Sequence, residues 1–296
     1  MKIFDCFMFF NEEMLLDVRL NELNKFVDKF VITESTYTHS GKPKKLLFDI
    51  NKYSKFKDKI KYIIVDQQPE GIADILDNER GDKTNSKYIQ NAIIRENFQR
   101  NCLISGLTEA EKNDFILISD LDEIPNLKKI NFNEIKNKLV FFKQKNFYYK
   151  FNLYIDNFEW YGSKGCKFKN LESPQWLRNI KGKKYSFLRF DTLFSKNKYR
   201  NIKLIEDGGW HFSYLKDAKG IEEKLKSYLH HREYDMEPLG IERINQMIKS
   251  NMPVYNLKTD KLKSKFTFSD QLKTAKIEDL PDYVQKNTEK YNQWFA

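Results

Sequence analysis

The sequence predicts an α/β fold in which a mostly parallel sheet is flanked by helices, with a small aromatic β region and C-terminal helices, and three observations carry that expectation. Strand and helix signals alternate through the first half of the chain, which is the pattern of a parallel sheet covered on both faces. The strand candidates there are near-continuous apolar runs, as strands buried on both faces are. The run Asp114-Phe115-Ile116-Leu117-Ile118-Ser119-Asp120-Leu121-Asp122-Glu123-Ile124-Pro125 then drives a short apolar strand into three acids and a proline. At 296 residues, 40% hydrophobic and 15% aromatic, the chain is long and apolar enough to bury a sizeable core.

Taken in order, residues 3–10 read as a buried strand, and residues 12–26 place Leu15, Leu16, Val18, Leu20, Leu23 and Phe26 at helical spacing. Residues 29–32 and 60–65 are the second and third strands. A polar loop begins at Gln67 and runs to Ser86, ahead of a long helix over residues 85–107 with Ile89, Ile93, Ile94, Phe98, Cys102 and Leu103 on its inner side. Residues 115–118 follow as the fourth strand, ended by the turn chemistry around Pro125. From 139 to 161 aromatics become dense, which suits a hairpin or meander better than a helix, and residues 221–230 and 241–247 read as helices. There is no internal repeat and no low-complexity linker.

The formal charge is +10, with lysines densest over residues 42–61 and 181–203, so the partners to weigh are nucleic acid, an anionic membrane surface and a phosphorylated substrate. Cys6, Cys102 and Cys166 are odd in number and widely spaced, which suggests neither a disulfide framework nor a zinc knuckle. The N-terminus meets Asn11-Glu12-Glu13 before a long apolar stretch has formed, unlike a usual signal peptide. No run approaches the roughly 18 apolar residues of a membrane span. Together these place the protein in the cytoplasm, with peripheral contact with an anionic membrane as an option.

Three clusters carry chemistry. Asp120 and Asp122, one residue apart at the carboxyl end of a buried strand, turn toward the crevice where α/β proteins bind ligands. Two carboxylates there repel unless a cation intervenes, and hard oxygen ligands suit Mg²⁺ or Mn²⁺ with the phosphates of a substrate. The second cluster, Glu206-Asp207-Gly208-Gly209-Trp210-His211-Phe212-Ser213-Tyr214, sets a histidine beside paired glycines that let the backbone turn sharply or approach a ligand closely. His211 is there a metal ligand or a hydrogen-bonded core residue. The third, Arg95 to Asn101, carries Arg95 and Arg100 five apart and therefore off a single helical stripe; one of them clamping a diphosphate and the other solvated fits that spacing.

These stretches, with Phe10-Asn11-Glu12, Arg19-Leu20-Asn21-Glu22-Leu23 and Val27 to Ser35, resemble glycosyltransferase family 17, in the order in which that family carries them and over residues 10–214. The resemblance, to a β-1,4-N-acetylglucosaminyltransferase-like group with bacterial or viral members, implies a GT-A type, Rossmann-like catalytic domain over residues 1–230. Residues 231–296 form a helical extension on the same domain. It also implies a metal-dependent, inverting transfer of a sugar, N-acetylglucosamine first, from a UDP-sugar donor to a hydroxyl of a glycan or lipid-linked oligosaccharide acceptor. On that reading Asp122, Asp120 and His211 serve the metal, and Asn11, Glu12, Glu34, Arg95, Arg100 and Asp120 bind the nucleotide-sugar. Asp207, Glu206 and Asp191 are candidates for the base, Glu123 orients the acceptor or the loop, and Tyr148, Tyr149, Trp160 and Trp210 stack on acceptor sugars.

Two rival classes are weighed beside it. A haloacid-dehalogenase-like phosphatase would use Asp120 as nucleophile, but its motif follows the first strand, whereas this one comes after three earlier strands and is followed by the bulky Ile124. A basic nucleic-acid-binding module fits the charge and the aromatics, yet the lysines are scattered and an acidic triplet suits no such groove, so no nucleic acid is expected.

Overall fold

The computed structural model describes residues 1–75, 81–182, 185, 189–192, 195, 197–228, 231–255 and 270–296. The chain opens with β1 (Ile3–Met8), α1 (Glu13–Leu23), β2 (Lys29–Ser35) and β3 (Ile60–Val65). α2 (Asp82–Asn101) leads through a 3-10 turn, Cys102–Leu107, to β4 (Phe115–Asp120) and the short β5 (Glu123–Pro125). Next come β6 (Leu139–Phe142), β7 (Gln144–Tyr148), β8 (Leu153–Trp160), β9 (Lys164–Lys167) and α3 (Pro174–Asn179). β10 (Ile202–Ile205), β11 (Gly209–Ser213), α4 (Ala218–Ser227), α5 (His231–Met236), α6 (Ile241–Lys249), β12 (Lys273–Thr274) and α7 (Asp282–Gln285) complete it.

A seven-stranded sheet runs β10-β6-β9-β4-β1-β2-β3, and a five-stranded one β12-β8-β7-β11-β5. In the larger sheet β1, β2, β3 and β4 are parallel, as are β6 and β10, while β9 runs antiparallel between β4 and β6. This is the α/β architecture that the alternating pattern predicts, with helices against a mostly parallel sheet. One apolar cluster joins α1 (Leu16, Val18, Leu20) to Phe7 of β1 and Ile32 of β2, and another packs Leu103 and Leu107 against Ile116 and Ile118 of β4. α4 and α6 share a third with Tyr148, Tyr149 and Tyr255.

Three expectations are corrected. The aromatic stretch is a hairpin in part: β7 and β8 pair antiparallel in the small sheet as expected, but β6, one residue before β7, joins the large one, so the strand changes sheets at Lys143. The helix expected from residue 85 begins at Asp82, inside the expected loop. α4 starts at Ala218, capped by Asp217 accepting from the Gly220 backbone, and stops at Ser227; Leu229 and His230 lie outside the described residues, as do residues 76–80 of the loop.

Paired glycines join the two sheets beside the acidic turn. A Cβ on Gly208 would meet the Lys143 backbone N at 2.7 Å, and Gly209, at φ +128°, leaves 2.2 Å to the Ile124 carbonyl. Only glycine permits this passage, and it slots β11 between β5 and β7 with His211 opposite both Glu123 and Asn146.

Candidate active site

A cavity of about 510 Å³ opens at the carboxyl ends of β1, β2 and β4, walled on the far side by β7, β11 and α4. Its floor is the acidic turn, and the turn is held from below. Arg19, fully buried on α1, grips Asp5 of β1 through two bonds of 2.8 and 2.6 Å. Its remaining nitrogen donates to the carbonyl oxygens of Asp120 (3.1 Å), Leu121 (3.2 Å) and Glu123 (2.7 Å). A guanidinium that satisfies three carbonyls of the turn fixes the backbone from which both aspartates project.

Asp120 points to the basic end of the cavity. Arg100 Nη2 donates to its Oδ1 at 3.0 Å and Arg178 Nη2 to its Oδ2 at 2.9 Å. Burial alone would raise its pKa, but the two guanidiniums outweigh burial and hold the carboxyl well below the usual carboxylate range. Glu123, with no exposed surface, closes the turn by accepting the Asp120 N–H at 2.7 Å, and takes Trp160 Nε1 at 2.6 Å and Arg178 Nη1 at 2.7 Å. Arg178 is itself steered by Lys164, whose ammonium donates to the carbonyls of Arg178 and Ile180, each at 2.6 Å.

Asp122 points the other way. Lys224 of α4 donates to its Oδ2 at 2.9 Å, and His211 Nε2 faces its Oδ1 at 3.8 Å, beyond hydrogen-bond reach. Burial works against its charge, yet Lys224 and His211 pull its pKa below the ordinary value. The imidazole stacks on Trp160 with ring centres 5.0 Å apart, and its buried Nδ1, like Asn146 Oδ1 beside it, has no hydrogen-bond partner. Glu12 Oε1 lies 3.7 Å from Lys224, and its Oε2 accepts the Asn11 N–H at 3.1 Å.

The cavity thus brings together Glu12, Arg100, Asp120, Asp122, Glu123, Tyr148, Trp160 and His211 of the expected residues. Others go elsewhere. Glu34 is buried under the 44–48 loop, accepting from the Leu47 and Phe48 backbone and Tyr62, while Asn11 receives Lys216. Arg95, one helical face away from Arg100, bonds Gln68 at 2.9 Å. Tyr149 donates to the Met252 carbonyl at 2.8 Å, and Trp210, on the opposite face of β11 from His211, donates to that of Asp279 at 2.6 Å. Glu206 and Asp207 precede β11 and border a separate polar cavity, where Glu206 pairs with Lys143; Asp191 is exposed between Arg189 and Lys198. None of these three acids lines the cavity of the acidic turn, because they sit before β11 or outside both sheets while the turn faces His211 within that strand.

Arg178 and Lys224 are the functional side chains that sequence reasoning missed. The helix start Ser173-Pro174, with Ser173 accepting the Trp176 N–H, was a readable signal for α3, but among 52 lysines and arginines nothing marked these two.

Comparison with known proteins points the same way as this geometry. Over 115 residues, 38% of the chain, it is 29% identical to the human and rat β-1,4-mannosyl-glycoprotein 4-β-N-acetylglucosaminyltransferases and 28% identical to the mouse protein. The matched stretch spans 19% of the length of those relatives. The sequence profile of glycosyltransferase family 17 matches residues 1–295, nearly the whole length over which the two sheets and the cavity between them are built, and the chain belongs to that family.

Proposed function

We propose that the protein is a metal-dependent, inverting glycosyltransferase that moves N-acetylglucosamine from its UDP-sugar to a glycan hydroxyl, with Mg²⁺ or Mn²⁺ as cofactor. The observation that carries this reading is the charge of the cavity wall. Five carboxylates (Glu12, Glu96, Asp120, Asp122, Glu123) line it with four cationic side chains (Lys44, Arg100, Arg178, Lys224). The carboxylates outnumber the lysines and arginines by one, so the wall offers a nucleotide diphosphate no excess of fixed positive charge from these residues and favours one that brings a cation with it.

Among the described residues no group of three or more His, Cys, Asp and Glu converges on one point. The pair that does converge, Asp122 Oδ1 and His211 Nε2, suits an ion whose other positions are filled by phosphate and water, the habit of Mg²⁺ and Mn²⁺ in nucleotide sites. Bound there, such an ion neutralises charge developing on the departing diphosphate. Asp120, with each oxygen paired to an arginine, orients those guanidiniums instead. Lys224 is placed to meet the diphosphate beside Asp122. Of the lining carboxylates Glu12 is among the least engaged and is our choice to receive the acceptor proton, in place of the acids near β11. The human, rat and mouse relatives are named as acting on a mannosyl-glycoprotein with N-acetylglucosamine, which supports that sugar for this chain.

Release of UDP from UDP-N-acetylglucosamine, followed with and without Mn²⁺, tests the reading. Slow Mn²⁺-dependent hydrolysis, lowered about 100-fold or more by Asp122→Asn, is expected. Turnover in Asp122→Asn that keeps its normal metal dependence would overturn the metal role. Glu12→Gln should abolish transfer while leaving donor binding intact; retained transfer would remove Glu12 as the base.

A further inference from the structure

Six of the ten net positive charges lie in residues 42–61, which hold eight lysines and only Asp49 and Asp58. Three of the lysines are locally neutralised: Lys44 by Glu34, Lys52 by Glu13 and Lys61 by Glu109. Lys59 is spent on the carbonyls of Asn24 and Val27. Lys42, Lys45, Lys55 and Lys57 remain exposed. The helical turn Ile50–Lys59 buries Tyr53 and Phe56 against the core and so turns Lys55 and Lys57 outward.

Between these lysines the chain does something costly. Leu46 and Leu47 stand 38% and 45% exposed, and the loop that presents them is held rigidly. Glu34, completely buried, accepts the N–H groups of Leu47 and Phe48, and the Phe48 ring is stacked on Tyr53 and Tyr62. The same carboxylate takes Lys44 and the Tyr62 hydroxyl, so the clasp seats Phe48 on the core and leaves the preceding Leu46 and Leu47 facing water. Lys44, two residues from Leu46 and three from Leu47, lines the active-site cavity, so the leucines lie within about 10 Å of chain from its wall.

We propose that this segment, through the exposed Leu46 and Leu47 and the exposed Lys42, Lys45, Lys55 and Lys57, docks the protein on an anionic phospholipid bilayer and brings the mouth of the cavity to the membrane. Exposed leucines and exposed lysines on one segment are the chemistry of an interfacial contact, in which apolar tips enter the headgroup boundary and cations meet lipid phosphates. A nucleic acid would use the lysines but not the leucines. The rings it would stack on, Tyr53 and Phe56, are turned into the core.

The test is sedimentation of the full chain with vesicles of mixed phosphatidylcholine and phosphatidylglycerol, against pure phosphatidylcholine, at low and high salt, with no donor present. The outcome is therefore independent of the sugar-transfer reading. Binding to the anionic vesicles alone is expected, falling as salt rises. Lys45→Glu/Lys55→Glu/Lys57→Glu should reduce it by more than tenfold, since each lysine contributes about fivefold in partition near such a surface. Leu46→Ser/Leu47→Ser should reduce it too, at unchanged charge. Both variants should keep wild-type circular dichroism and wild-type UDP release. A control triple of exposed lysines outside this segment, Lys112→Glu/Lys169→Glu/Lys249→Glu, should bind like wild type. No anionic-vesicle binding, equal loss in the control triple, or full binding by the leucine variant would each overturn the proposal. So would preferential binding to a single-stranded oligonucleotide that the leucine variant retains.

Discussion

At the residue scale, the site is a set of opposed charges whose partners are far apart in sequence. Asp120 is met by Arg100 and Arg178, and Asp122 by Lys224 and His211. His211 separates a ligand from a packing residue, because its Nε2 faces Asp122 while its ring stacks on Trp160. His211→Ala should weaken UDP binding measured with Mn²⁺ by about tenfold or more, and metal-free UDP binding much less, by titration calorimetry; equal weakening would mark it as a packing residue. The Asp120, Asp122 and His211 stretches were legible in the sequence because an acidic turn after an apolar strand and a histidine after paired glycines are local patterns. Arg178 and Lys224 were not, since a cation's role depends on which carboxylate it meets after folding.

Among the elements, α1 and the β9–α3 corner do the positioning. Arg19 of α1 ties β1 to the acidic turn, so Arg19→Met should cost about 3–5 kcal/mol in denaturant unfolding, by leaving Asp5 buried without its partner and three turn carbonyls unsatisfied. Lys164 of β9 supports α3 from within the core. Burial, and next the nearby Arg178 charge, push its pKa down to about 7 from 10.5. The folded state therefore binds fewer protons than the unfolded chain between those values, and this group's contribution to stability rises with pH across that window. Relative to Lys164→Met, wild-type stability should increase from about pH 7 to pH 10 when denaturant midpoints are compared; a flat or falling difference would mean the amine stays charged throughout. The strand signals of residues 139–161 were visible, but their division between two sheets was not, because hydrophobic pattern specifies a buried strand and not its neighbour.

For the whole molecule, the cavity exists only where the two sheets and α4 meet, so a ligand that fills it reports on the entire assembly. UDP with Mn²⁺ at about 100 times its dissociation constant should add about 2.7 kcal/mol of stability, a rise of about 5 °C in melting temperature for a protein of this size. UDP-N-acetylglucosamine should match it, and metal alone, GDP-sugars and CMP-sugars should shift it little; equal shifts for every nucleotide would remove the donor assignment. No helix among the described residues is long and apolar enough to cross a membrane. By itself the sequence determined the alternating α/β architecture, the strand that carries Asp120 and Asp122, and the family resemblance, since apolar periodicity and short motifs are properties of neighbouring residues. The tertiary structure alone decided which charges share the cavity. It turned Glu34 into a clasp for the 44–48 loop, set Glu206, Asp207 and Asp191 away from the acidic turn, and brought Arg178 and Lys224 to it. The physical reason is that a side chain's chemistry is set by partners distant in the chain, for Arg178 and Asp120 a separation of 58 and for Lys224 and Asp122 one of 102, and only strand order and packing bring such partners within 3 Å.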